Sequence, residues 1–290
     1  MRSRNRATLA TFGALATLGS LAALAGCDPP TTLVVCHNSN CAEPADPEHD
    51  DTLGAMRESL ALTVDGRPAI DGMEMDSLYR GSDGACLFAH DFENAELAPA
   101  TAPAMLLAEH FAEPGPIAYS SPVFRVELEL KPEVSTASAG GDDHTPAQRL
   151  AHAQCAWDIY DVVAAGAIAN GRDIEVVFAS FSPELLGAVL ETAPLAPPVP
   201  VLYGAEQGIP KPLDGSTRSL GDYRGLPIAE VEFHDQWIYD AQYEAIHTQG
   251  IDVAFFMFSA TAETFALVNR YHPTMVVTSE ARLFRRWLER

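Results

Sequence analysis

Nine short runs rich in β-branched and aromatic residues, separated by segments of helical periodicity, constrain this chain more than any other feature. The runs are Thr32–Cys36, Met73–Leu78, Cys86–Ala89, Val123–Leu130, Ile174–Ser180, Val199–Tyr203, Pro227–Phe233, Asp252–Phe258 and Thr274–Thr278. Strands alternating with helices are the pattern of a parallel sheet joined by crossover helices, and so many in one series predict an α/β fold closed into a (β/α)8 barrel. The 290 residues suffice for one such barrel, and 47% hydrophobic content with 20% charge argues against bulk disorder.

Helix starts support the alternation. Thr145 before Pro146 and Ser182 before Pro183 each place a capping hydroxyl ahead of a proline, whose missing N–H is free at the first helical position. Leu150, Ala153, Trp157, Tyr160 and Ala164 recur at three- and four-residue steps and are expected to form a core stripe. Two stretches interrupt the series: Leu97–Ser121, with one short helix expected at Ala104–Ala112, and the small, polar Pro132–His144. Both follow strands, so both are expected near the face that carries the site.

The N-terminus reads as an export signal. Arg2, Arg4 and Arg6 precede an uncharged stretch from Ala7 to Gly26, which ends in Leu24, Ala25, Gly26 and Cys27. That ending resembles the lipobox of bacterial lipoproteins, which implies cleavage of residues 1–26 and lipidation of Cys27. Residues 27–31 are then a short tether, and 32–290 the barrel, anchored outside the cytoplasm. The alternative is an uncleaved anchor, since twenty apolar residues can just span a bilayer. Cleavage removes three arginines and no acid, which takes the net charge from −22 to −25 and sets the bulk of the domain against anionic lipid. With two lysines in the whole chain, Lys131 and Lys211, a nucleic-acid partner is excluded. Cys36, Cys41, Cys86 and Cys155 remain for one or two disulfides in an oxidising compartment. Three pairings are open, and no CxxC suggests zinc.

In parallel barrels the reactive groups come from the C-terminal ends of strands. His37 follows the first run; Glu74 and Asp76 share one side of the second; His90 and Asp91 end the third. Glu127 and Glu129 lie in the fourth, which Lys131 closes. Of these two, Glu129 is read as the one facing the site and Glu127 as facing away. Carboxylates such as Glu74, Asp76 and Glu129 gathered in one mouth repel one another unless a cation sits among them, and oxygen ligands favour Ca²⁺ or Mg²⁺ over zinc.

This constellation resembles the glycerophosphodiester phosphodiesterase family, within the phospholipase-C-like phosphodiesterase barrels. The matching residues are His37, then Asp50, Asp51, Thr52 and Leu53 opening the first helix; Glu74 and Asp76; His90 and Asp91; Glu129, Leu130 and Lys131; and Ser180, Phe181 and Ser182. The resemblance implies His37 and His90 as an acid/base pair, Glu74, Asp76 and Glu129 as ligands of one divalent cation, and Lys131 as a phosphate contact.

Some positions depart from the family. Asn38 stands where the family usually has a phosphate-holding Arg. His-Asn-Ser instead resembles the start of the calcium-dependent phosphoinositide phospholipase C pattern, which implies Asn38 as a further metal ligand. Phe256, Met257, Phe258 and Ser259 replace the family's Trp-Thr-Val-Asn, and Thr278 and Ser279 its Thr-Asp. His234, at the end of the Val231–Phe233 run, is expected to line the mouth and contact substrate. Phe256 and Phe258 are expected in the core, and His110, His152, His247 and His272 at the surface. The expected substrate is a small phosphodiester. The alternatives are a phospholipase of the C or D type acting on membrane lipid, and a degenerate barrel serving as a binding lipoprotein.

Overall fold

The computed structural model describes residues 32–42, 49–94, 96–132, 144–207, 220–234, 240–256 and 259–290. The signal segment and Cys27 lie outside the described residues. Eight parallel strands close on themselves: β1 Leu33–Cys36, β2 Gly72–Arg80, β3 Val123–Lys131, β4 Asp173–Ser180, β5 Val201–Gln207, β6 Glu230–His234, β7 Asp252–Phe256 and β8 Met275–Thr278. Closure is made by β1, which pairs in parallel with β8 through Leu33–Met275 to Cys36–Thr278, and with β2 through Val35–Gly72 and Cys36–Met73.

The outer ring comprises α1 Leu53–Leu60, α2 Thr101–Phe111, α3 Pro146–Ala169, α4 Pro183–Glu191, α5 Asp240–His247, α6 Ala262–Tyr271 and α7 Ala281–Leu288. Between β5 and β6 the described residues hold only a 3-10 turn, Leu220–Tyr223. Thr145 and Ser182 cap α3 and α4 as the sequence predicts; Thr145 shares its cap reciprocally with Gln148. None of the described helices is long and apolar enough to cross a membrane.

Several expectations are corrected here. Cys86–Ala89 is no barrel strand. Residues 85–88 return antiparallel along β2, Ser77 opposite Phe88 and Arg80 opposite Ala85. The four-residue turn at 81–84 is far too short for the crossover that a parallel neighbour needs. The sixth run starts two residues later than expected and extends to Gln207, and the seventh begins at Glu230. Beyond Phe256, residues 257 and 258 lie outside the described set.

Leu97–Ser121 starts beside the mouth, with Ala98 opposite Phe88, and then leaves the site face. It supplies the barrel helix α2, and its last residues return to the opposite end, where Tyr119 N donates to Ile70 O at 3.0 Å. Of the second interruption, residues 133–143 lie outside the described set. In the α3 stripe Ala153, Trp157, Tyr160 and Ala164 are buried, but Leu150, in the first turn, is exposed. His152 is fully buried rather than superficial, held by Ser77 O at 2.9 Å, because α3 packs that face against β2. His110 is half-buried, with its ring beside Phe111 and Phe124.

A buried ion pair locks the N-terminal end of the barrel to the last helix. Asp71, immediately before β2, accepts from Val34 N at 3.1 Å and Ser120 N at 2.7 Å, and pairs with Arg285 of α7. Arg285 also lies 4.3 Å over the Tyr119 ring. One carboxylate thereby ties the starts of β1, β2 and β3 to the last helix. Close approach matters as well: a Cβ on Gly72 would meet Arg125 O at 2.5 Å, so only glycine lets β2 and β3 pair here. Asp71→Ala is expected to strand a buried guanidinium and to destabilise the fold by about 3–5 kcal/mol in denaturant unfolding.

Candidate metal centre

The first functional residues sit in a stapled turn. After β1 the chain enters a 3-10 turn, His37–Ser39, with Asn38 and Ser39 at φ of 45° and 55°. Left-handed backbone at two non-glycine residues is costly, and it persists only where surroundings fix it. The Cys36–Cys41 disulfide closes the turn over 5.4 Å between Cα atoms. Asn38 N donates to Glu74 Oε2 at 2.8 Å, and Ser39 Oγ to Glu74 O at 2.8 Å. The amides of Asn38 and Asn40 donate to the two carboxylate oxygens of Asp50, at 3.2 and 2.8 Å.

Strand register assembles the carboxylates. Glu74 lies opposite Glu127, and Asp76 opposite Glu129, so alternate residues of β2 and β3 point into the barrel side by side. One oxygen from each of Glu74, Asp76 and Glu129 lies within 4.8 Å of the others, and all three residues are buried. Lys131 Nζ sits 2.5 Å from Glu129 Oε2 and 3.2 Å from Asp76 Oδ2. Burial pushes all three carboxyls up; Asp76 and Glu129 push Glu74 up further, while Lys131 opposes the rise. Burial also acts against the Lys131 ammonium, but its carboxylate neighbours outweigh it and hold the charge.

One ammonium does not satisfy this set. Asn38 Oδ1, Asp51 Oδ2, Asp76 Oδ1 and Glu129 Oε1 are buried without a hydrogen-bond donor. Two of these oxygens belong to Asp76 and Glu129 of the clustered carboxylates, and unpaired buried oxygens beside such a cluster are what a hard divalent cation satisfies, so the donor set fits Ca²⁺ or Mg²⁺.

Two histidines flank the carboxylates. His37 is buried, its Nδ1 3.1 Å from Ser279 Oγ and its Nε2 4.0 Å from Glu74 Oε2. Burial, then Lys131 and His90, hold its imidazole well below the usual range and therefore neutral at pH 7. His90 ends the antiparallel strand on β2 and stands at the solvent edge, with Nδ1 3.5 Å from Asp91 Oδ2. The Lys131 charge, then burial, lower it, against the pull of Glu129 and Asp91. Phe256, expected in the core, is partly buried and packs against the Val35, Ala254, Met275 and Val277 cluster. Its ring lies 4.4 Å from that of His37 and 5.8 Å from that of His234, so it lines the mouth between them. Phe258 lies outside the described residues.

The sequence reading missed part of this interior. Glu127 does not face outward: it shares strand parity with Glu129 and Lys131, and alternation alone requires it inside. It is only 1% exposed, and burial, reinforced by Glu230, pushes its carboxyl up to about 8. Glu206 and Glu232 join it, both raised well above the ordinary range, Glu206 by burial and then Glu129, and Glu232 by burial and then Glu127. Below them Arg125 pairs with Glu175 at 2.7 Å and Glu230 at 2.8 Å. Asp51 was also missed as a site group. It accepts from Asp76 N at 3.2 Å, and its position just before the Thr52 cap of α1 was the available signal. Ser279 was likewise detectable, as the first residue beyond β8.

These raised carboxyls reverse the usual pH dependence. The folded state holds protons that the unfolded chain releases near pH 4.5, so stability is full below that value and declines as pH rises toward about 8. Chelator-treated protein should therefore lose thermal stability from pH 5 to pH 8, and Glu127→Gln should flatten the decline. Thermal unfolding across that pH series measures both.

No protein-family model matches the chain, and no curated protein matches it in sequence. Solved structures do. A glycerophosphodiester phosphodiesterase from Parabacteroides distasonis superposes with a TM-score of 0.61 at 10% identity, over 90% of this chain and 98% of the other. A phosphodiesterase from Oleispira antarctica, in complex with the product sn-glycerol-3-phosphate, superposes at 0.59 with 12% identity, over 90% and 98%. A glycerophosphodiester phosphodiesterase from Thermotoga maritima does so at 0.50 with 16% identity, over 88% and 98%. At these identities the likeness is one of architecture: the chain has the (β/α)8 fold found in glycerophosphodiester phosphodiesterase structures.

Proposed function

We propose that this protein hydrolyses glycerophosphodiesters, using one divalent cation and the His37/His90 pair, as a lipid-anchored domain outside the cytoplasm. The observation that carries the reading is the buried Glu74–Asp76–Glu129 cluster, with its oxygens within 4.8 Å, set between two histidines at the barrel mouth. The fold shared with phosphodiesterase structures supports it.

Glu74, Asp76 and Glu129 would hold the cation, with Asn38 Oδ1 as a further donor. When bound, the cation supplies the charge that polarises the phosphoryl oxygens. Lys131, fixed beside Glu129 and Asp76, faces a non-bridging oxygen and stands in for the guanidinium that Asn38 replaces. One histidine takes the proton of the attacking hydroxyl and the other protonates the leaving oxygen. Ser279 fixes the ring of His37, so that Nε2 faces the carboxylates. His234 and Phe256 form the wall against which the leaving group rests.

Anchoring through Cys27 rests on the charge-then-apolar leader and the Leu24–Cys27 ending. The Cys36–Cys41 and Cys86–Cys155 disulfides support an oxidising compartment. A second reading, a phospholipase acting on membrane lipid, is favoured by Phe92 and Leu97, which are 39% and 38% exposed close after His90.

Purified residues 28–290 should cleave glycerophosphocholine and a chromogenic diester, lose that activity to chelator, and regain it with Ca²⁺ or Mg²⁺. His37→Ala and His90→Ala should each lower kcat by about 10²- to 10⁴-fold while leaving the circular dichroism spectrum unchanged. Activity that survives His90→Ala sinks the two-histidine mechanism. A folded protein that cleaves neither diester nor lipid with any cation points instead to a binding lipoprotein.

A further inference from the structure

The site and the anchor belong to opposite ends of the barrel. β1 enters at the N-terminal face with Leu33 and leaves at the mouth with Cys36 and His37. Thr32 is buried at that lower face, its hydroxyl donating to Pro273 O at 2.9 Å. Cys27 is five residues earlier, and whatever path they take, five peptide steps reach no farther than about 18 Å. To bring the mouth to the membrane, the tether would have to cross the helix ring, about 10 Å thick, and then climb its outer wall. α1 and α7, the helices beside β1, have 8 residues each, about 12 Å at 1.5 Å per residue. Crossing and climbing together, about 22 Å, exceed the reach.

The helices run from the mouth down to the N-terminal face, so their last turns and the loops entering the next strand lie there. Arg57, Arg67, Arg270, Arg286 and Arg290 are exposed there, but so are Glu58, Asp65, Glu113, Asp173, Glu191, Asp252 and Glu289, and Arg270 is paired with Asp240. Among the described residues at the mouth, Lys131 is held by Glu129 and Asp76, and Arg80 by Asp83 at 2.8 Å. Asp91, Glu93 and Glu96 are exposed around it. Both faces therefore expose acid, and the orientation rests on the reach of the tether.

We propose that the anchored domain stands on its N-terminal face and opens its mouth away from the membrane that holds it. Its substrates are then water-soluble glycerophosphodiesters, and the lipids of its own membrane are out of reach. The inference rests on the lipid anchor and the diesterase reading above.

The test uses the full-length lipidated protein in vesicles containing anionic lipid and a head-group-attached quencher, with a fluorophore on Asp65→Cys or on Glu93→Cys. Asp65 is an exposed turn residue between α1 and β2, on the N-terminal face, and Glu93 is exposed beside the mouth. The expected result is loss of fluorescence from the Asp65 label and none from the Glu93 label; any other pattern overturns the orientation. In parallel, the anchored protein should cleave added glycerophosphocholine as fast as the free domain and release no head groups from its own vesicle. Head-group release from that vesicle overturns the substrate assignment. Failure to cleave either substrate, with quenching as expected, would sink the diesterase reading and leave the orientation standing.

Discussion

Mutual repulsion among buried carboxylates is the constraint on which the rest of this barrel depends. Glu74, Asp76 and Glu129 crowd around Lys131, and Glu127, Glu206 and Glu232 continue the acidic column inward, all of them buried at the cost of hydration. A chain stabilised by packing alone would put valines there, as it does on β1 and β8, where Val35, Met275 and Val277 fill the same interior with Ala254 of β7. The acidic half faces β2, β3, β5 and β6, and the apolar half faces β7, β8 and β1. This asymmetry marks the side of the barrel that carries the chemistry.

Everything near the acidic half is braced against that repulsion. The two disulfides lie on the two elements that carry the histidines: Cys36–Cys41 encloses the His37 turn, and Cys86–Cys155 pins the strand that ends before His90 to α3. At the far end, Asp71 with Arg285 and Arg125 with Glu230 and Glu175 anchor the starts of β2 and β3 through paired charges. The mouth therefore keeps its unpaired oxygens for a ligand, while the N-terminal end pairs its own. In a parallel barrel that division places stability below and function above.

Much of this was legible in the sequence, for identifiable reasons. Strand-end logic located His37, Glu74, Asp76, Glu129, Lys131 and His234, because a barrel gathers its strand ends wherever the helices lie. Hairpins were not legible: Cys86–Ala89 has the apolar content of a barrel strand, and only the shortness of the 81–84 turn shows that it folds back. Nor was the depth of His152, since a long helix packed on both a strand and a neighbouring helix buries more than one stripe. Glu127 was misread although period two settles it, and with it went the acidic layer beneath the site. Phe256 resisted because an aromatic at a strand end suits either a core or a mouth, and only the His37 ring beside it decides.

Titration calorimetry of Ca²⁺ or Mg²⁺ into the metal-free domain, repeated in buffers of different ionisation enthalpy, tests the central claim most directly. Carboxyls raised by burial and by one another must shed protons when a cation enters, so the account expects one binding event with proton release that grows as pH falls from 8 toward 6, and its loss in Asp76→Asn. A folded protein that binds neither cation, or that binds with equal affinity after Asp76→Asn, would contradict it.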